Sequence, residues 1–452
     1  MPKTIEQINE KIARKTVKVV RADQMTEIVR DLGPDKAAEE VDVVTTGTFG
    51  AMCSSGAWLN FGHSDLPIKM SRVWLNDVEL YAGAAAVDAY LGATQLSETE
   101  GLRYGGAHVI EDLLRGKPVV LRAVSYGTDC YPRKRILTSL TLDNLNTALL
   151  SNPRNGYQRY AAAANSSGKT IRTYMGTLLP KLGNVTFSGA GSLSPLSNDP
   201  EYRTIGLGTK IFLGGADGFI TGPGTQHNPE NQMGTLSVQG DLKEMSPDFL
   251  RAASFPGYGC TLYVGLGIPI PVLDADLARR TAVADAEIPA TIYDYSVPHR
   301  TRPVLRNTNY AELKSGRVLI DGKSVPTSPL SSFALARRVA EELKGRIEEG
   351  TFTLTAPVQR LPGRARVGTL DLRPVERPIS PRTQSPTTGP GKKRIRREED
   401  RCVHCGHCLS LCAQNVFSKN GDWTIGLEAE RCSACGVCAG ACPVGALTLA
   451  AE

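Results

Sequence analysis

Eight of the eleven cysteines fall in the last 51 residues as two copies of one pattern, Cys402-x2-Cys405-x2-Cys408-x3-Cys412 and Cys432-x2-Cys435-x2-Cys438-x3-Cys442. This is the bacterial spacing for two [4Fe–4S] clusters, in which three thiolates wrap one cluster from a turning loop and the fourth, on the following helix, ligates the other. One cluster is therefore assigned Cys402, Cys405, Cys408 and Cys442, and the second Cys432, Cys435, Cys438 and Cys412. The copies stand 30 residues apart with Arg401/Arg431 and Gly406/Gly436 in register, so the motif is also an internal repeat. Ala413 stands where the second copy has Pro443, and the ligand set is complete without it. Zinc sites come as separated Cys or Cys/His pairs, so this spacing points to electron transfer.

Three cysteines remain for the rest of the chain. Cys53 lies in Thr45-Thr-Gly-Thr-Phe-Gly-Ala-Met-Cys-Ser-Ser-Gly56, a run of small residues rich in backbone amides and hydroxyls, after an apolar run read as a strand. Cys130 lies in Tyr126-Gly-Thr-Asp-Cys-Tyr-Pro-Arg-Lys-Arg135, also after a strand-like run. Loops at strand ends are where open α/β sheets bind ligands. The plain alternative for each is a small buried hydrophobe, the fate of most free cysteines. Arg133, Lys134 and Arg135 would favour a Cys130 thiolate, and Asp129 would oppose it. Cys260 opens the apolar run Thr261–Gly267 and reads as core. His63, His108 and His227 lack metal-site spacing, though His63 lies close enough in sequence to Cys53 to be its base. The Gly-rich run Thr204–Gly218 matches neither the dinucleotide fingerprint nor the Walker pattern and reads as tight turns.

The elements that must position these residues make an α/β domain over residues 1–360. Ile5, Ile8 and Ile12 share one face of an N-terminal helix. A βαβ start follows: strand Thr16–Val20, helix Asp23–Leu32 stopped by Gly33, strand Val41–Thr45. Helices are expected at Ala84–Leu91, Val109–Leu114 and Phe333–Ile347, and strands at Val119–Val124, Ile211–Leu213, Leu262–Leu266 and Val318–Ile320. A length of 452 residues requires more than one core. The division is a catalytic domain 1–360, a linker 361–397 and a small α+β two-cluster ferredoxin domain 398–452.

From Arg360 to Arg397 stand eleven basic and two acidic residues, a local +9 that leaves −3 for the rest of a chain whose net charge is +6. With six prolines and no aromatic residue, that segment has the composition of an extended tether, not of a nucleic-acid surface. As a coil of about 40 residues it would reach on the order of 35 Å. The charged N-terminus is unlike a secretory signal, and no 18-residue apolar window exists to span a membrane. Together with oxygen-sensitive clusters this places the protein in a reducing cytoplasm.

The segments Gly47–Gly56, Leu80–Ala89, Ser125–Pro132 and Gly265–Val272 resemble the homocysteine biosynthesis family of anaerobes, the L-aspartate semialdehyde sulfurtransferases. The likeness covers about residues 1–360, and the family's two functional cysteines match Cys53 and Cys130. It implies an enzyme that incorporates sulfur into aspartate semialdehyde through a cysteine persulfide, with reduction to homocysteine. It also implies a sulfur donor, an external electron donor and, in some members, a separate ferredoxin-type partner. On this reading a Cys130 persulfide attacks the aldehyde while Cys53 relays sulfur or resolves the adduct as a disulfide. Amides of the Cys53 loop would hold the oxyanion, and Arg133 or Arg135 would pair with the substrate carboxylate. Two other classes stay open: a non-catalytic electron or sulfur carrier, and a different thiol-dependent reductase.

Overall fold

The structure, a computed structural model, describes residues 2–155, 162–229, 234–299, 302–363, 393–422 and 424–451. It divides into two units, Met1–Thr369 and Leu370–Glu452. Most of the expected Pro/Arg-rich linker lies outside the described residues.

The N-terminal segment folds as its pattern dictates. Helix Ile5–Ala13, capped by Thr4, buries Ile8 and Ile12 completely. Strand Val19–Arg21, helices Ala22–Leu32 and Pro34–Glu40, and strand Val43–Thr45 form the βαβ start, the two strands pairing in parallel. Buried Asp42 ties this corner together by accepting hydrogen bonds from Lys3 Nζ at 3.0 Å, Lys11 Nζ at 2.6 Å and the Lys18 amide at 3.0 Å. Burial alone would raise the Asp42 pKa, but these donors hold its carboxyl below the ordinary range.

Beyond residue 45 the domain is mixed but dominated by strands. The main sheet has fifteen strands joined by antiparallel pairs, with the order Arg135–Leu140, Val119–Val124, Arg72–Leu75, Val78–Ala82, Asp88–Gly92, Gly56–Asn60, Thr147–Asn155, Leu236–Asp241, Ala216–Pro223, Lys210–Leu213, Gly259–Gly267, Leu250–Phe255 along its main path. It curls round helix Gly106–Leu114, which touches strands from both ends of that order and buries Ala107, Val109, Ile110 and Leu113 in the central core. A second, mixed sheet of six strands carries residues 162–164, 185–187, 289–294, 304–309, 317–320 and 323–329 around a core of its own. The α/β expectation thus holds as a mixture of strands and helices, with parallel pairing in the N-terminal corner and at two places in the six-stranded sheet. Ala84–Leu91, expected as a helix, instead runs into strand Asp88–Gly92. The deciding period is two: Val87, Ala89 and Leu91 are buried while Asp88, Tyr90 and Gly92 are half-exposed, and this alternation overrides the helix propensity of the alanines.

Helix Phe333–Glu348 lies against the strand pair Thr48–Ala51/Gly259–Gly267 through glycines. A Cβ at Gly47 would stand 2.1 Å from the Ala336 carbonyl oxygen, and those at Gly265 and Gly267 3.0 Å from Val339. The unit ends where Gly206–Leu207 pairs with Gln359–Arg360 and His227 Nε2 meets the Pro362 carbonyl oxygen at 3.0 Å.

In the C-terminal unit Gly406 and Gly436 take left-handed φ values of 74° and 77° and start the matching helices His407–Leu411 and Val437–Ala441. Strand Lys393–Arg397 pairs with Leu447–Ala451, so the ordered unit takes in residues that composition alone assigns to the linker.

Gly47→Ala should lower the stability of the N-terminal unit by about 2 kcal/mol or more, since backbone on both sides must shift. Gly345→Ala, in the same helix with nothing within 4 Å, should be neutral or stabilising by up to about 1 kcal/mol. Denaturant unfolding of the two variants tests this close approach; equal effects would refute it.

Candidate functional site

Strand Thr48–Ala51 pairs with Gly259–Gly267 and then turns sharply, presenting Cys53 to a cavity of about 130 Å³. The opposite wall comes from the six-stranded subdomain: Tyr174 and Met175 from the hairpin Ile171–Leu178, Ser188 and Gly189 after strand Val185–Phe187, and Leu330 and Ser331 before the long helix. Tyr258, at the tip of the hairpin between Leu250–Phe255 and Gly259–Gly267, stands at the same cavity. The cavity therefore lies between the two main bodies of the unit.

No residue lining it carries a formal charge; hydroxyls and amides supply its polarity. The Cys53 sulfur accepts from Thr261 Oγ1 at 3.5 Å and from the Tyr258 hydroxyl at 3.6 Å. The Gly189 amide donates to Ser331 Oγ at 3.1 Å, and the Tyr263 hydroxyl donates to the Leu330 carbonyl oxygen at 2.9 Å, which fixes the wall facing Cys53. Tyr174 and Tyr258, one from each body, meet at the cavity with ring centroids 6.2 Å apart.

Cys130 lies elsewhere. It is exposed at the tip of the hairpin joining Val119–Val124 to Arg135–Leu140, where Thr128 and Tyr131 exchange backbone hydrogen bonds. That hairpin leans on the loop after Asn60: Tyr131 stacks on His63 at 5.8 Å, and Arg133 gives its guanidinium to the carbonyl oxygens of Leu66, at 2.8 Å, and Asp65. Cys53 precedes strand Gly56–Asn60 and the Cys130 hairpin packs beyond its other end, a strand length on the order of 14 Å. Four strand-to-strand steps, about 19 Å along the sheet, also separate the strand that leads to Cys130 from Gly56–Asn60. A disulfide needs Cα atoms within about 7 Å. The structure thus sets His63 against Tyr131 of the Cys130 hairpin, turns Arg133 to backbone carbonyls, leaves Arg135 exposed at the start of its strand, and puts none of the three at the Cys53 cavity. Cys260 is buried, as its apolar run suggests.

In the C-terminal unit Cys402, Cys405, Cys408 and Cys442 line one small cavity. Burial first, then mutual repulsion with Cys405, Cys402 and Cys442, raises the Cys408 thiol; burial and then Cys412, Cys432 and Cys435 do the same to Cys438. The first group of four thus includes Cys442 from the second repeat, and Cys438 has Cys412 of the first repeat among its neighbours. Amides of Ala434 and Ala446 point at the sulfurs of Cys432 and Cys442, both at 3.3 Å. Such donor sets suit iron–sulfur clusters, whose charge amide dipoles stabilise.

An uncharged cavity with one thiol at its wall, in a chain that also carries a unit with iron–sulfur cysteine spacing, defines a class of sulfur-handling enzyme. Residues 17–354 match the family described as homocysteine biosynthesis enzyme, sulfur-incorporation, and residues 401–446 match a 4Fe-4S dicluster domain. The chain belongs to that homocysteine biosynthesis family and carries the iron–sulfur domain at its C-terminal end. It is 60% identical over 359 residues to an L-aspartate semialdehyde sulfurtransferase of Methanosarcina acetivorans, covering 79% of this chain and 72% of that protein. A Methanocaldococcus jannaschii protein of the same name is 55% identical over 393 residues, covering 84% of this chain and 76% of its own length. A stretch of 34 residues, 8% of this chain, is 44% identical to 26% of the M. acetivorans L-aspartate semialdehyde sulfurtransferase iron-sulfur subunit.

Tyr258, Thr261, Tyr174, Ser188 and Ser331 carry no sequence signal, because no motif joins segments this far apart. With a bulky maleimide and peptide mapping, the N-terminal cysteines should label in the order Cys130, then Cys53, then Cys260, as their exposure falls. Cys53 labelling as fast as Cys130 would be inconsistent with its place in the cavity.

Proposed function

We propose that this chain incorporates sulfur into L-aspartate semialdehyde at the Cys53 cavity and reduces the product to L-homocysteine, with two [4Fe–4S] clusters in the C-terminal domain. The observation that carries the reading is Cys53, held by two hydroxyl groups at the wall of an uncharged cavity, in a chain of this family. The substrates named for the two relatives support the choice of aldehyde.

Electron counting fits the domain arrangement. An aldehyde, hydrogen sulfide, two electrons and two protons give a thiol and one water. Sulfur that arrives as a persulfide needs two electrons more to release its carrier cysteine as a thiol. The clusters, when bound, supply electrons one at a time. Cys402, Cys405, Cys408 and Cys442 would hold one, and Cys432, Cys435, Cys438 and Cys412 the other.

The chain's own residues do the rest. The cavity excludes bulk water, and its amides and hydroxyls orient the aldehyde oxygen and the amino-acid head; no arginine takes part there. Exposed Cys130 takes sulfur from a donor as a persulfide, and two electrons and two protons release it as hydrogen sulfide while Cys130 returns to its thiol. In the cavity the Cys53 thiol adds to the aldehyde carbon, hydrogen sulfide takes the place of the water that leaves, and expulsion of the Cys53 thiol gives a thioaldehyde that two further electrons and two protons reduce to the product thiol. The route uses no Cys53–Cys130 disulfide, since Cys130 stands exposed on a separate hairpin and does not line the Cys53 cavity.

The two cysteines should separate in an anaerobic assay with reduced low-potential carrier. Cys53→Ala should form no homocysteine from any sulfur source. Cys130→Ala should lose activity with a persulfide donor yet recover with excess sulfide, both variants keeping cluster content and melting temperature. Activity in well-folded Cys53→Ala protein would end this reading. Anaerobically reconstituted protein should carry about eight irons and eight acid-labile sulfides per chain; a value near four would remove the second cluster.

A further inference from the structure

Strand Gly259–Gly267 treats two sulfurs in opposite ways. Cys260, on one face, donates from Sγ to the Leu102 carbonyl oxygen at 3.6 Å and lies 3.5 Å from Ser254 Oγ; burial pushes its thiol up, and it behaves as a neutral S–H. Thr261, one residue on, points to the other face, where its hydroxyl donates to Cys53 Sγ. Thr261 is fully buried, and a buried hydroxyl without an acceptor carries its whole desolvation penalty. A neutral thiol is a poor acceptor, whereas a sulfur bearing negative charge is a good one. Tyr258 aims a second hydroxyl at the same atom from the hairpin tip. With no cation among the lining residues, hydroxyl dipoles are what the cavity offers such a charge.

We propose that Thr261 and Tyr258 are positioning residues that hold Cys53 as an anionic sulfur, thiolate or persulfide, turned into the cavity. This rests on the reading of Cys53 as the sulfur that meets substrate. It assigns a role to two residues 205 and 208 positions away in the chain. Thr261 suits the task because its branched side chain is stiff about χ1 and strand pairing with Ala253 holds its backbone. Tyr258 reaches in from a turn and defines the side from which the sulfur is open.

The test uses the full-length holoprotein under anaerobic conditions. Cys53 is alkylated with iodoacetamide, a small neutral reagent, at fixed pH, and its rate is read by peptide mapping with Cys130 in the same molecule as internal reference. Thr261→Val keeps shape and removes the hydroxyl; Thr261→Ser keeps the hydroxyl and removes a methyl. Thr261→Val and Tyr258→Phe should each slow Cys53 alkylation about tenfold, the scale of one hydrogen bond to a charged group. Thr261→Ser should stay within about twofold of the parent, and Cys130 should not change. In turnover the two slow variants should lose kcat with KM nearly unaltered. Unchanged Cys53 alkylation in both would overturn the proposal while leaving the function to stand or fall on Cys53→Ala. A Thr261→Ser variant as slow as Thr261→Val would overturn it too, since packing and not the hydroxyl would then be at work.

Discussion

The approach of helix Phe333–Glu348 to bare backbone is the constraint on which the site depends. Gly47, Gly265 and Gly267 have no side chains because the helix occupies the space a Cβ would need. The start of the helix is fixed as firmly as its body: Ser332 Oγ caps it by accepting from the Leu335 amide at 3.2 Å, and the Ser332 amide donates to the Phe49 carbonyl oxygen at 2.9 Å. The helix thereby locks the subdomain that carries Ser331 against the strand that carries Cys53. Loosening it would open the cavity before it unfolded either sheet. Local substitutions along this contact thus matter far more than their volume suggests.

Chemistry is divided between places that impose different physics. The Cys53 cavity is walled by hydroxyls, amides and apolar side chains, so a charge there meets fixed dipoles, the arrangement that stabilises developing charge without reorganisation. The Cys130 hairpin is exposed, braced on its neighbouring loop by an arginine that donates to backbone carbonyls. Such a tip can be reached by a second protein but does little to exclude solvent. The cysteine groups of the C-terminal unit form a third environment, in which amides face the sulfurs of Cys432 and Cys442 and burial raises the thiols of Cys408 and Cys438. On the function proposed above, these three environments would serve to receive sulfur, to join it to carbon and to supply electrons.

Local spacing was enough to read the cluster domain, because all eight sulfurs lie in two short repeats whose ligand geometry follows from a few φ angles. The same holds for helices Ile5–Ala13 and Phe333–Glu348 and for the βαβ start, where apolar periodicity and caps agree. Family likeness pointed to Cys53 and Cys130 but could not separate their surroundings. His63 illustrates the limit: ten residues from Cys53 in sequence, it lies past the far end of the intervening strand and stacks on Tyr131 instead. Ala84–Leu91 illustrates another, since helix-forming alanines stand in a segment whose burial alternates. The sequence by itself thus determined the iron–sulfur domain and the N-terminal corner, both of which depend on interactions between near neighbours, while family likeness named the pair of candidate thiols. Only the tertiary structure decided which thiol faces a cavity and which faces solvent, because the surroundings of Cys53 come from residues 174–175, 188–189, 258, 261 and 330–331, brought together by strand pairing and glycine contacts that leave no periodic mark along the chain.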